Sequence, residues 1–171
     1  VGDNGSVTAF EPDLELAALA RQTLAERENE DLNLQLVCAA VSEKSGIADF
    51  RIAQRGRAAN SLSKVRPSTQ MGGVREIVTV PTLSLDAVLE SNCDPDLVKI
   101  DVEGAELLVL RGATDLLARV RPILIIEVSD NSSEIFTLLK KSGYKLFDAA
   151  SGEQEKEISR CSFNTLAIPD K

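Results

Sequence analysis

Histidine is absent from all 171 residues. That removes Ser-His-Asp hydrolysis, Cys-His proteolysis and histidine-ligated metals together. Any proton transfer falls to Asp, Glu, Lys, Tyr or Cys. Cysteine is sparse: Cys38, Cys93 and Cys161, an odd number without a CxxC spacing. A disulfide framework or zinc knuckle is disfavoured, no metal site is expected, and three structural thiols in a reducing cytoplasm fit best. No apolar run approaches the roughly 20 residues that cross a bilayer, so no membrane association is expected. The first residues show no signal-peptide pattern. Excess positive charge is also missing. The net charge of −8 argues against general nucleic-acid binding.

What is present suits one domain over residues 1–171 with a sizeable core. "SVTAFEP" (6–12) reads as a short strand ending in an acid and a proline. A helix over 13–28 follows, with Leu16, Leu19, Ala20 and Leu24 on one apolar face. Strands are expected over 32–37, 46–52 and 75–80, and a short helix over 82–90. "LVKIDV" (97–102) reads as a strand and "AELLVL" (105–110) opens a helix that Gly112 breaks. "ILIIEV" (123–128) is the most strand-like run in the chain. Asn131 with Glu134 resembles a capping box for the next helix, and Gly143 resembles its C-terminal cap. "YKLFDA" and "FNTLAIP" close the chain as strands.

This alternation predicts an open, mostly parallel α/β sheet. Ligands bind such sheets beyond the carboxyl ends of their strands. Three expected strands end in acids: Phe10–Glu11, Ile100–Asp101 and Ile126–Glu127. If those strands are neighbours, their acids line one rim. Charged groups are costly inside a protein unless paired or used, so Asp101 and Glu103 belong at the exit of their strand. Gly104 permits a sharp turn or close ligand approach there. Glu106 falls in the first helical turn, where the dipole favours an acid. Glu11 has two readings. It is a carboxylate for the ribose hydroxyls of a nucleotide cofactor, or an acid favoured by the start of the helix.

A glycine-rich turn normally precedes a ribose acid by about 20 residues, yet only ten residues precede Glu11. The spacing therefore predicts a strand and a glycine loop in front of Val1. Residues 51–76 form a different kind of segment, with Arg51, Arg55, Arg57, Lys64, Arg66 and Arg75 against the single acid Glu76. It is either a solvated loop or a lid that steers an anionic or phosphorylated substrate.

"VTAFEPD" (7–13), "CAAVSEKSGIADF" (38–50), "TLSLDAVL" (82–89), "LVKIDVEGAELLVLRGA" (97–113), "RPILIIEV" (121–128) and "NTLAIP" (164–169) occur in this order. Together they resemble the FkbM-type family of S-adenosylmethionine-dependent methyltransferases. "KIDVEGAE" carries most of the specificity. The resemblance implies a Rossmann-like class I methyltransferase sheet, mostly parallel with an antiparallel last strand. Against the family pattern the first strand and the glycine loop are missing from this sequence. It also implies S-adenosyl-L-methionine as cofactor and O-methylation of a sugar or natural-product hydroxyl. By position, Glu11 would hold the cofactor ribose, and Ala39, Ala40 and Ser42 would lie near the adenine. Asp101 would sit at the methyl-transfer centre, with Lys99 and Glu103 beside it. Arg55, Arg57, Asn60 and Ser61 are the candidate contacts to a small-molecule acceptor, anionic or sugar-containing. Two other readings stay open: a catalytically inactive methyltransferase-like interaction module, and a different nucleotide-cofactor α/β enzyme.

Overall fold

The computed structural model describes residues 2, 4–26, 33–56, 59–65, 73–91, 94–151 and 156–170. The first strand, β1 (Val7–Phe10), leads through Glu11 and Pro12 into helix α1 (Leu14–Leu24). Asp13 caps that helix. Its Oδ1 accepts the amides of Glu15 and Leu16 at 2.9 and 3.3 Å, satisfying two of the orphan donors of the first turn. The buried face of α1 centres on Ala17, and Leu19, assigned above to the apolar face, is exposed. Strand β2 (Leu34–Val37) runs parallel to β1.

Strands β3 (Ala40–Val41), β4 (Gly46–Ala53), β5 (Ser61–Leu62) and β6 (Val74–Leu83) follow. Strand β6 continues through Leu83, so the next helix, expected over 82–90, is α2 (Leu85–Leu89), capped by the Ser84 hydroxyl on the Ala87 amide. The chain then forms β7 (Leu97–Ile100), α3 (Glu106–Arg111), a π-helix (Leu116–Val120), β8 (Ile123–Glu127), α4 (Ser132–Lys141), β9 (Tyr144–Asp148) and β10 (Asn164–Pro169). No helix among the described residues is long and apolar enough to cross a membrane.

The single open sheet expected from the alternation is divided into three ladders, ordered β2-β1, β7-β8-β10-β9 and β3-β6-β4-β5. The pairs β1-β2, β7-β8 and β3-β6 are parallel. Strands β4 and β6 instead pair antiparallel from Gly46↔Thr82 to Ala53↔Val74, which gives this ladder its mixed character. Strand β10 is antiparallel to both neighbours, as expected of the closing strand. No ladder joins β1 to β7 among the described residues.

The main core lies around β8. Leu124 and Ile126 are fully buried and pack with Ile100, Val109, Leu110, Leu116, Ile135, Leu139 and Leu146. Burying side chains of this size stabilises by roughly 1.5–3 kcal/mol each. A second cluster joins Ala40, Phe50, Ile52, Leu62 and Val80 to Ala105, with Val102 touching both clusters. Arg121 holds a left-handed conformation (φ 57°) after the π-helix. Its guanidinium donates to the carbonyls of Ser142, Gly143 and Asp170 and lies over the Tyr144 ring. This ties off the end of α4, where Gly143 (φ 77°) reverses the chain as expected. The capping box at Asn131 is not formed. Asn131 is itself left-handed (φ 55°) and makes no side-chain cap.

Helix α3 ends at Gly112, but not because glycine takes a left-handed turn there, since its φ is −87°. The reason is space. A Cβ at Gly112 would stand 2.3 Å from the Ser42 carbonyl oxygen and 3.0 Å from the Glu43 Cα, both rigid backbone atoms. Gly112→Ala should therefore force the two segments apart and cost about 2 kcal/mol, within the range seen for overpacked sites. Urea denaturation of the full chain measures this; an unchanged midpoint would show that the close approach is dispensable.

Candidate functional site

Strands β7 and β8 pair in register Ile100↔Ile126, so Asp101 and Glu127 leave adjacent strands at the same end. Two of the three strand-end acids thus share a rim. The third, Glu11, follows β1, whose ladder partner is β2, and its amide bonds the Val37 carbonyl at 3.1 Å.

Asp101 is exposed and ion-paired with Lys99, also exposed. Glu103 is partly buried two residues on. Burial, reinforced by the negative charges of Glu127, Asp101 and Glu106, raises its pKa above the usual glutamate value. A carboxylate of raised proton affinity at a strand exit is suited to take a proton from a substrate hydroxyl. Gly104 turns the chain with φ 80° before α3. Glu106 points inward, only 1% exposed. Its Oε1 accepts from the Gly104 amide (3.1 Å) and the Ser129 hydroxyl (2.7 Å), while Oε2 is buried without a partner.

At the other end, Glu11 is half-buried. Its Oε1 accepts the Asp13 amide at 2.7 Å. Burial raises its pKa, and the nearby Asp13 charge adds to this while the Asp13 amide opposes it. Asp13 Oδ2 accepts from the Asn60 side-chain amide at 2.7 Å, and Asn60 Oδ1 accepts from the Ala53 amide at 2.8 Å. Asn60 therefore ties the segment 59–65 to the start of α1. Arg51 holds the same segment by donating to the carbonyls of Ser63 and Val65. The Val65 side chain then lies 3.6 Å from where a Gly104 Cβ would be. A continuous set of contacts thus runs from the Glu11–Asp13 corner, along residues 60–65, to the turn carrying Asp101 and Glu103.

The remaining candidates divide as follows. Ala39, Ala40 and Ser42 are buried, Ala40 within the second core cluster. The amides of Ala39 and Ser42 bond the carbonyls of Val37 and Leu83. Ser61 is buried in β5, and Arg55 is exposed beyond β4. Arg57 and Arg66, like Cys93, lie outside the described residues. No cluster of three or more potential metal ligands occurs among the described residues. Sequence reasoning assigned Glu106 only to the helix dipole and left Ser129 and Asp13 without a role. The "EPD" run does carry the signal for Asp13, since an acid just before an apolar helical face is a common cap. Nothing local marks Ser129.

The methyltransferase FkbM domain model matches residues 1–146. A solved structure, the methyltransferase FkbM from Methylobacillus flagellatus KT, shares the fold with a TM-score of 0.55 at 15% identity. The alignment covers 95% of this chain and 36% of that one, so this chain spans about a third of its length. No curated protein matches the chain.

The pKa of Glu106 is raised, chiefly by burial, against hydrogen bonds from the Ser129 hydroxyl and the amides of Glu106, Gly104 and Ser129. An acid whose folded pKa exceeds its unfolded one stabilises the fold at low pH. That contribution fades as pH climbs through the folded pKa. Glu106→Gln, which cannot ionise, should therefore gain in Tm relative to the unaltered chain as pH rises above the ordinary glutamate range. Thermal melts at rising pH measure the difference; a constant offset would mean that Glu106 ionises as freely in the fold as in the unfolded chain.

Proposed function

Because this chain belongs to the FkbM methyltransferase domain family, we propose that it takes part in S-adenosylmethionine-dependent O-methylation, with a hydroxyl of a sugar or natural product as acceptor. The observation that carries this reading is Glu103. It leaves β7 beside Glu127 and Asp101 with its proton affinity raised, in a chain that has no histidine to serve as base.

When bound, S-adenosylmethionine supplies a methyl group on an electrophilic sulfonium. The half-buried Glu11 carboxylate, one oxygen held by the Asp13 amide, fits an acceptor of ribose hydroxyl bonds. Glu103 would take the proton of an acceptor hydroxyl, leaving its oxygen free to receive the methyl group that the cofactor would supply. Asp101, held by Lys99, would contribute negative charge at the strand exit and orient the acceptor. Arg55, exposed just beyond β4, and its sequence neighbour Arg57 draw in an anionic acceptor by their charge.

Each role has its own expected outcome, tested in the full-length protein. Glu11→Ala should weaken S-adenosylmethionine binding by about 2 kcal/mol, or about 30-fold, as expected for lost charged hydrogen bonds. Unchanged affinity by calorimetry would remove Glu11 from the cofactor site. Glu103→Gln should lower kcat by roughly 10²-fold or more, with cofactor affinity retained. If Glu103→Gln is fully active and Asp101→Asn is not, Asp101 is the base instead. Arg55→Ala with Arg57→Ala should raise KM for an anionic acceptor, less so at high salt.

A further inference from the structure

A buried carboxylate must be accounted for, because removing a charged or polar group from water is unfavourable unless it forms good bonds. Glu106 is 1% exposed, yet α3, which it opens, has only six residues. A favourable helix dipole does not require the carboxyl to turn inward, since exposed acids benefit from it too. The apolar contacts of α3 are already made by Leu107, Val109 and Leu110.

What the carboxyl does is accept two of the three hydrogen bonds of a closed ring. The Gly104 amide donates to both Glu106 Oε1 (3.1 Å) and Ser129 Oγ (2.9 Å), and the Ser129 hydroxyl donates to the same Oε1 (2.7 Å). Gly104 belongs to the turn after β7, and Ser129 to the segment between β8 and α4. The ring therefore joins the exits of the two parallel strands that deliver Asp101 and Glu127. The turn it grips is left-handed at Gly104, with Val65 packed against its other side. Glu103 is the residue next to that grip.

We propose that Glu106 is a positioning residue: with Ser129 it latches the β7–α3 turn to the β8–α4 segment and so fixes where Asp101 and Glu103 face the acceptor. Its kinetic consequences rest on the methyl-transfer reading above; the latch itself does not.

Both parts are tested with Glu106→Ala, Glu106→Gln and Ser129→Ala in the full-length protein. Amide hydrogen exchange at Gly104 reads the latch without any need for activity. Protection should fall at least tenfold in Glu106→Ala, fall partly in Ser129→Ala, and persist in Glu106→Gln, whose carbonyl keeps both donors. Unchanged Gly104 protection in Glu106→Ala overturns the latch. If that variant does not fold, Ser129→Ala decides the point, because it removes only the link between the two exits. In methyl-transfer assays, kcat should fall at least tenfold in Glu106→Ala and recover to within threefold in Glu106→Gln. KM for S-adenosylmethionine should stay constant in both. Equal losses of kcat in the alanine and glutamine variants, with Gly104 still protected in the latter, would show that the charge and not the latch matters, and the positioning role would be wrong. Were the unaltered protein inactive toward hydroxyl acceptors, the methyl-transfer reading would fail while the exchange measurements still decide the latch.

Discussion

The near-contact between Gly112 and the Ser42 carbonyl oxygen is the constraint on which the arrangement of the two larger sheets depends. At 2.3 Å from a would-be Cβ there is no room for any side chain. The end of α3 can therefore sit directly on the turn that follows β3. This close seating brings Val41, Leu85 and Leu89 against the main core, and lets Val102 and Ala105 enter the second cluster. Protein interiors are packed too densely for such a fit to adjust continuously. Moving α3 outward by even a methyl group would move the Asp101–Ala105 turn at its other end.

That turn is where electrostatics and packing meet. Parallel pairing of β7 with β8 places their terminal acids side by side, and burial, reinforced by these charges, raises the proton affinity of Glu103. Like charges gathered at one rim are unfavourable unless something holds them. Here the holding is done from both sides. Lys99 pairs with Asp101, and the Gly104–Ser129–Glu106 ring fixes the backbone. From the opposite direction, residues 60–65 lean on Gly104 through Val65, and are themselves held by Arg51 and by Asn60 on Asp13. Arg51 thus serves as a structural clamp, whereas its sequence neighbourhood offered only a solvated loop or a lid that steers an anionic substrate.

Much of this was legible in advance. Strands such as 97–100 and 123–127 and helix 132–141 could be placed from local pattern, because alternation or helical periodicity of apolar residues is a property of neighbours in the chain. The acids at the strand exits were legible for the same reason. The face of α1 was misjudged at Leu19 because periodicity marks an apolar stripe but not which part of it finds a partner. The capping box at Asn131 failed because the backbone there is left-handed, whereas a side-chain cap needs an extended capping residue.

The sequence by itself determined the chemical vocabulary: no histidine, acids after apolar strands, a glycine at the β7 turn, and the order of motifs that marks the family. Tertiary structure alone decided which of these groups meet. Glu106 is separated from Ser129 by 23 positions, and Asn60 from Asp13 by 47. No local rule pairs them, because hydrogen bonds over such distances form only after packing has brought the strand exits together. The division of the sheet was likewise decided globally, since every strand carries the same donors and acceptors and only register and packing select its partner.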